Sequence, residues 1–110
     1  MLNFYYEGIL VLNDYFVGSA SDGVAMPYGG IIDTVFLNAR TSPVTDNAII
    51  KIYNLTAVTD ATATLTAGST FEKNAVSLSF NTNDKLAMQV IQTGAVGGRG
   101  SGVNVTFQYT

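Results

Sequence analysis

The stretch VNVTFQY, residues 103–109, alternates large apolar side chains with uncharged polar ones. The large side chains are those of Val103, Val105, Phe107 and Tyr109, and the polar ones are those of Asn104, Thr106 and Gln108. A period of two places one set on each face of an extended chain. The stretch therefore predicts a β-strand with one face in a core and the other toward water.

Two other stretches have the same period. In AVSLSF (75–80) the predicted inward set is Val76, Leu78 and Phe80, and in ATATLTAG (61–68) it is Ala61, Ala63 and Leu65. Threonine alternates with this second set, and its β-branched side chain suits a half-exposed strand without adding charge. Both stretches are predicted strands, and the small residues of 61–68 indicate close packing against a neighbour.

Three longer stretches are more uniformly apolar: GIIDTVFLNAR (30–40), NAIIKIYNL (47–55) and KLAMQVIQT (85–93). A helix is the alternative for each, but their short length and their Ile, Val, Thr and Tyr content favour strands covered on both faces for part of their length. Shorter strands are predicted at 8–12 and 14–18. Turn compositions separate the strands at 19–23, 27–30, 41–47, 81–84 and 94–102. The pattern predicts an all-β fold, a single antiparallel β-sandwich.

The composition describes a single domain with an unusually uncharged surface. The chain has 110 residues, 47% of them apolar and 12% charged, about half the usual charged share. Such a surface is typical of a protein that hides part of itself in an oligomer or a larger assembly. The net charge is −3 and the five basic residues are scattered, which argues against nucleic-acid binding and against binding to an anionic membrane.

The residues that could do chemistry are few. Cysteine and histidine are absent, which excludes zinc sites with thiolate or imidazole ligands and nucleophiles activated by histidine. Most of the eight acidic residues fall in or beside predicted turns, where aspartate ordinarily binds backbone amides. Asp33 lies inside an apolar strand, and an edge or outward position accounts for it. The sequence predicts no enzyme, no metal and no cofactor; a hydrolase with a carboxylate pair is the remaining enzymatic alternative.

The glycine-rich stretch GAVGGRGSG (94–102) matches neither the P-loop spacing nor G-x-G-x-x-G. It is interpreted as a loop between two antiparallel strands. Arg99 at its tip is a candidate contact to a partner protein.

The first 27 residues form an N-terminal aromatic-rich segment, and residues 28–110 are assigned to the β-sandwich domain. Five of the twelve aromatic residues lie in this segment: Phe4, Tyr5, Tyr6, Tyr15 and Phe16. One interpretation is a hairpin packed on the sandwich; the other is an arm that docks on a partner, since interfaces are rich in aromatic residues. Consecutive rings in an extended chain point to alternate sides, so one core cannot cover them all. These five residues and Arg99 are the predicted partner-binding residues.

From Gly30 onward the layout resembles the small β-sandwich modules of tailed-phage virion proteins, namely head decoration (cement) proteins and the terminal domains of fibre and baseplate proteins. The resemblance rests on GGIIDTVFLNARTSPVTDNAIIKIYNLTA, LTAG, SLSFNTNDKLAMQVIQTG and GSGVNVTFQY. Asn83-Asp84 stands where these modules often carry Gly-Asp, and the N-terminal segment has no counterpart in them.

The resemblance implies a jelly-roll-like sandwich and a structural protein on the capsid surface of a virion. It would bind the major capsid protein and its own copies as a homotrimer, with no catalytic residue and no small-molecule substrate. The alternative is a receptor- or carbohydrate-binding module at the tip of a fibre or baseplate. Exposed Tyr28 or Tyr53 would then serve as a sugar platform, although the absence of tryptophan weakens that alternative.

Overall fold

A computed structural model describes residues 2–93 and 101–110 of the chain, and over those residues the protein consists of strands and turns. The strands are β1 Leu2–Ile9, β2 Tyr15–Val17, β3 Val24–Ala25, β4 Gly30–Thr41, β5 Ala48–Asn54, β6 Thr59–Leu65, β7 Phe71–Phe80, β8 Lys85–Thr93 and β9 Ser101–Tyr109. The described ranges contain no helix long and apolar enough to cross a membrane.

The strands form two antiparallel sheets that pack against each other. The front sheet has the order β1-β9-β4-β7, and the back sheet has the order β2-β8-β5-β6, with β3 also pairing with β8. The predicted all-β fold with two packed antiparallel sheets is confirmed.

The core lies between the sheets and takes alternate residues from each long strand. Its largest fully buried side chains include Ile32, Val35, Leu37, Ile50, Ile52, Leu65, Leu86, Met88, Val90, Val103 and Phe107. The inward sets predicted for β6, β7 and β9 lie in this core where they are described, except that Ala61 and Val76 are partly buried and pack against it. The period of two in the sequence therefore identified the buried face of these strands correctly.

Strand β4 departs from strict alternation because it contains a bulge. The register shifts between Ile32 and Thr34, so that β4 has one residue more than β9 at this point. The buried positions consequently change from Ile32 to Val35 and Leu37. The strand was predicted to be covered on both faces for part of its length, but Ile31 on its outer side is 43% exposed.

Strand β8 does have both faces covered over Leu86, Ala87 and Met88, which are all buried. The cover over Ala87 comes from the loop between β2 and β3. A Cβ built on Gly18 would lie 3.0 Å from the Ala87 Cβ.

The N-terminal segment gives one edge strand to each sheet. β1 pairs with β9 in the front sheet, and β2 pairs with β8 in the back sheet. The predicted strand at 8–12 was wrong beyond Ile9, because the chain turns at Asn13, which has a φ of 68°. The Asn13 amide donates to the Val90 carbonyl at 2.8 Å, and the Val90 amide donates to the Asp14 carbonyl at 2.8 Å. These two bonds fasten the turn to β8.

The edge of β6 is closed by side chains from β7. The Asn74 side-chain amide accepts from the Thr64 N–H at 3.0 Å and donates to the Thr64 carbonyl at 3.1 Å. The Glu72 carboxylate accepts from the Thr66 N–H at 3.0 Å. These three bonds satisfy backbone groups that a further strand would otherwise occupy.

Candidate binding surfaces

The structure separates the predicted partner-binding aromatics into two groups. Phe4 stacks on Phe107 with ring centroids 5.8 Å apart, and Tyr6 packs against Phe16 at 5.1 Å. Phe4, Tyr6 and Phe16 all pack against the core between the sheets. Tyr5 is 49% exposed on the outer side of β1.

Tyr15 lies on the back sheet, half-buried beside Gln89 of β8. Arg99 lies outside the described residues. The predicted set therefore does not form one surface: its two outward-facing rings, Tyr5 and Tyr15, belong to different sheets.

Tyr6 also links β1 to the turn that follows it. Its hydroxyl donates a hydrogen bond to the Asp14 carboxylate. Burial raises the pKa of Tyr6, and the hydrogen bond to Asp14 and its charge raise it further. The phenol therefore stays protonated and keeps this link at neutral pH.

The outer side of the front sheet carries two rows of side chains that run across all four strands. The strand register gives the rows Tyr5, Asn104, Asn38, Phe71 and Asn3, Thr106, Phe36, Lys73. We call these eight residues the front face. Four strands at their usual spacing make it about 14 Å wide.

The front face is aromatic and nearly uncharged. The rings of Phe36 and Phe71 stack with centroids 6.1 Å apart, and Phe71 is 56% exposed. Lys73 is the one charged member of the set. In the middle of the face the Asn104 side-chain oxygen is buried and has no hydrogen-bond partner in the described chain. The face thus combines exposed rings with an acceptor that the chain itself does not satisfy.

A polar cleft of about 410 Å³ opens near the β5–β6 and β7–β8 turns and brings two carboxylates to one cavity. Its lining includes Asn54, Thr59, Asp60, Ser77, Ser79 and Asp84. Asp60 forms an ion pair with Lys51 at 3.7 Å.

The other carboxylate of this cleft is committed to hydrogen bonds within the chain. The Asp84 Oδ2 accepts from the Asn81 N–H at 2.9 Å and from the Asn54 Nδ2 at 2.8 Å. These bonds hold the pKa of Asp84 below its ordinary value, and the bond from the Asn81 backbone N–H has the larger effect. A carboxyl group with a lowered pKa is a poor proton donor at neutral pH. Its geometry is that of a turn-stabilising aspartate.

A second cleft, of about 270 Å³, lies on the outer side of the back sheet. Its lining residues are Tyr15, Ala20, Tyr53, Leu55 and Gln89, and we call it the tyrosine cleft. The sequence pointed to Tyr53 as a possible sugar platform and to Tyr15 as a partner contact. It did not identify Gln89, because the pairing of β8 with both β2 and β5 joins segments far apart in the chain.

In the described parts of the chain no three His, Cys, Asp or Glu side chains are placed to hold a metal ion together. No protein-family model matches the sequence, and no curated protein is significantly similar to it.

Proposed function

We propose that the chain is a structural virion protein, a phage head decoration protein that binds the major capsid protein on the capsid surface as a homotrimer. The observation that carries this proposal is the front face. It is wide, nearly uncharged and aromatic, and none of the described strands or loops covers it. In this role the protein acts by binding, and no catalytic step is required of it.

The strand order supports a jelly-roll arrangement. If β2 and β3 are counted as one interrupted strand along β8, the described residues form eight strands in the sheets β1-β9-β4-β7 and β2/β3-β8-β5-β6. Successive strands then pass repeatedly between the two sheets. Jelly rolls are used in viral capsid proteins and also in lectins. The fold is therefore compatible with a virion role without specifying it.

The chemistry of the front face fits a protein partner. The cores of protein interfaces are depleted of charge and enriched in aromatic residues, and Lys73 is the single charge among the eight residues. Tyr5 and Phe71 stand at opposite ends of one row, where they can anchor a partner from both sides.

The proposal is tested by mass and by binding to capsids. Native mass spectrometry of the purified protein is expected to give three times the chain mass of 11.6 kDa. The protein should also sediment with capsids that were purified, without it, from the phage that encodes it. A stable monomer that does not bind these capsids would overturn the proposal.

A paired set of variants locates the contact. Tyr5→Ser combined with Phe71→Ser should weaken capsid binding or trimer formation by tenfold or more, since anchors of this kind contribute about 2 kcal/mol each. Tyr28→Ser is the control, because Tyr28 is 71% exposed but lies between β3 and β4, away from the front face. Equal binding by the double variant and the control would exclude the front face as the contact.

A further inference from the structure

We propose that the tyrosine cleft binds a single uncharged sugar ring, such as the terminal residue of a glycan. This site is on the back sheet and does not depend on the decoration role, which is assigned to the front face.

Three strands and one loop build the cleft. Gln89 of β8 is paired with Tyr15 of β2 on one side and with Lys51 of β5 on the other. Tyr53 follows two residues after Lys51, on the same side of β5. The two tyrosines therefore flank a floor formed by the Gln89 amide, and Leu55 and Ala20 complete the lining.

The loop that brings Ala20 to the cleft is held against the sheet. A Cβ on Gly23 would collide with the Leu86 carbonyl, so the backbone at this end of the loop lies directly on β8. Within the loop the Ser19 N–H donates to the Asp22 carbonyl at 2.7 Å, and the Asp22 N–H donates to the Ser19 hydroxyl at 3.2 Å. The wall is therefore a fixed part of the site.

Hydrogen bonds orient the polar groups of the cleft and leave some of them available. The Tyr53 hydroxyl donates to the Gln89 Oε1 at 3.0 Å, and the Gln89 Nε2 donates to the Asn13 carbonyl at 3.2 Å. An amide nitrogen carries two N–H donors, so one remains on Gln89. The Tyr15 hydroxyl has no partner among the described residues. A ligand with hydroxyl groups could pair with both.

The charge around the cleft favours a neutral ligand. None of the five lining residues is charged. The Lys51 ammonium, which neighbours Tyr53, is paired with the Asp60 carboxylate at 3.7 Å. The Lys51 ammonium also lies 5.4 Å from the centroid of the Tyr53 ring.

Shape and polarity together select a sugar ring. Aromatic rings and Leu55 offer apolar contact, while the free N–H and hydroxyl require polar partners, which is the usual composition of a small-ligand site. A proline or aromatic side chain of a peptide would use the rings but leave these two polar groups unpaired, at a cost in affinity. A saccharide ring has an apolar C–H face and hydroxyl groups at its rim, so it satisfies both requirements.

The test is an NMR titration of the ¹⁵N-labelled full chain. The probes are methyl α-D-glucopyranoside, methyl β-D-galactopyranoside and methyl N-acetyl-β-D-glucosaminide, each raised to tens of millimolar. At least one glycoside is expected to shift the Gln89 side-chain N–H₂ and the backbone amides of Tyr15, Ala20 and Tyr53. A triproline peptide is titrated in parallel as the probe for a peptide ligand.

Variants separate the site from general surface binding. Tyr53→Ala should abolish the shifts, and Tyr15→Phe, which keeps the ring and removes the hydroxyl, should weaken binding about threefold or more. Tyr28→Ala, at an exposed tyrosine outside the cleft, should leave binding unchanged. The double variant of Tyr5 and Phe71 should also bind the sugar normally, so that failure of the capsid experiment and failure of this one are distinguishable.

Three results would overturn the proposal. The first is the absence of shifts with all three glycosides. The second is shifts that persist in Tyr53→Ala, and the third is binding of the triproline peptide alone.

Discussion

Asn54, at the end of β5, joins three parts of the chain with a single amide group. Its Nδ2 donates to the Ser79 carbonyl at 3.0 Å and to the Asp84 carboxylate at 2.8 Å, and its Oδ1 accepts from the Ala57 N–H at 3.1 Å. The residue is only 1% exposed. A buried asparagine in a strand is costly unless its hydrogen bonds are made, and here these three connect the β5–β6 turn to the end of β7 and the β7–β8 turn.

Replacing Asn54 by alanine should lower the free energy of unfolding by about 3 kcal/mol, because several buried polar groups lose their partners together. Urea unfolding followed by circular dichroism measures this change. Asn38→Ala on the exposed front face is the matched control and should change stability by less than about 0.5 kcal/mol. Equal changes in the free energy of unfolding would show that the buried hydrogen bonds of Asn54 stabilise the fold no more than an exposed asparagine does.

Asp84 should make the stability of the protein fall in acid. Hydrogen bonds lower its pKa in the folded chain below the ordinary value of 3.8. The bond from the Asn81 N–H has the largest effect, and the bond from the Asn54 amide has the next largest. The contribution of the Asp84 carboxylate to the free energy of unfolding is therefore complete above the pKa that the group has in the unfolded chain. It is lost as the pH falls through the lower pKa that the group has in the folded chain. Stability measured between pH 5 and about pH 2 should drop less steeply in Asp84→Asn than in the original chain. Some slope should remain, because the Thr66 backbone amide also lowers the pKa of Glu72. Identical slopes in both proteins would contradict this assignment.

At the scale of the elements, β6 shows how an edge strand with a single charged residue, Asp60, is kept from pairing further. Its alternating threonines add no charge that would repel another strand. The Asn74 side chain instead occupies the N–H and the carbonyl of Thr64, at 3.0 and 3.1 Å, and so imitates a neighbouring strand. Edge strands without such protection pair readily with other chains.

Asn74→Ala should expose this edge. The Thr64 amide should exchange with deuterium at least about tenfold faster, and stability should fall by about 1 kcal/mol, as expected for lost hydrogen bonds at a partly buried site. Lys73→Ala, one residue away on the opposite side of β7, is the control and should leave this amide unchanged. Unchanged exchange at Thr64 in Asn74→Ala would mean that the side chain does not protect the edge.

The elements were predictable from the sequence where local alternation determines them. Strand β9 was identified from its period of two, because over 103–108 its side chains alternate between the core and the outer side of the sheet. The bulge at Asp33 could not be predicted in this way, because it follows from the pairing of β4 with β9. The turn at Asn13 could not be predicted either, because it depends on hydrogen bonds with Val90.

The candidate sites were the least predictable part of the structure. Tyr53 was named, but its neighbour Gln89 lies 36 residues further along the chain.

At the scale of the whole molecule, β9 holds the front sheet together. It lies between β1 and β4 and is paired with both. It also brings Val103, Val105 and Phe107 into the core. Without β9 the remaining front-sheet strands would be split into β1 alone and the β4–β7 pair.

A chain that ends at residue 93 should therefore fail to fold. The loss removes three buried side chains that contribute roughly 1.5–3 kcal/mol each, in total comparable to the entire stability of a small domain. Far-ultraviolet circular dichroism should show no cooperative thermal transition for the shortened chain, whereas the full chain in the same buffer should show one. A cooperative transition in the shortened chain would mean that β1 finds another partner.

The pairing of β1 with β9 also means that β1 is without its partner strand for most of the synthesis of residues 1–110 on the ribosome. Phe4 is opposite Val105, so its partner is synthesised 101 residues later. At the usual elongation rates of about 5–20 residues per second, roughly 5–20 s pass between the synthesis of one and of the other. Throughout that interval the Phe4 ring lacks Phe107, on which it stacks, and Tyr6 lacks the strand with which its backbone pairs. The nascent chain therefore presents these aromatic residues to chaperones, and its front sheet is complete only after β9 has left the exit tunnel.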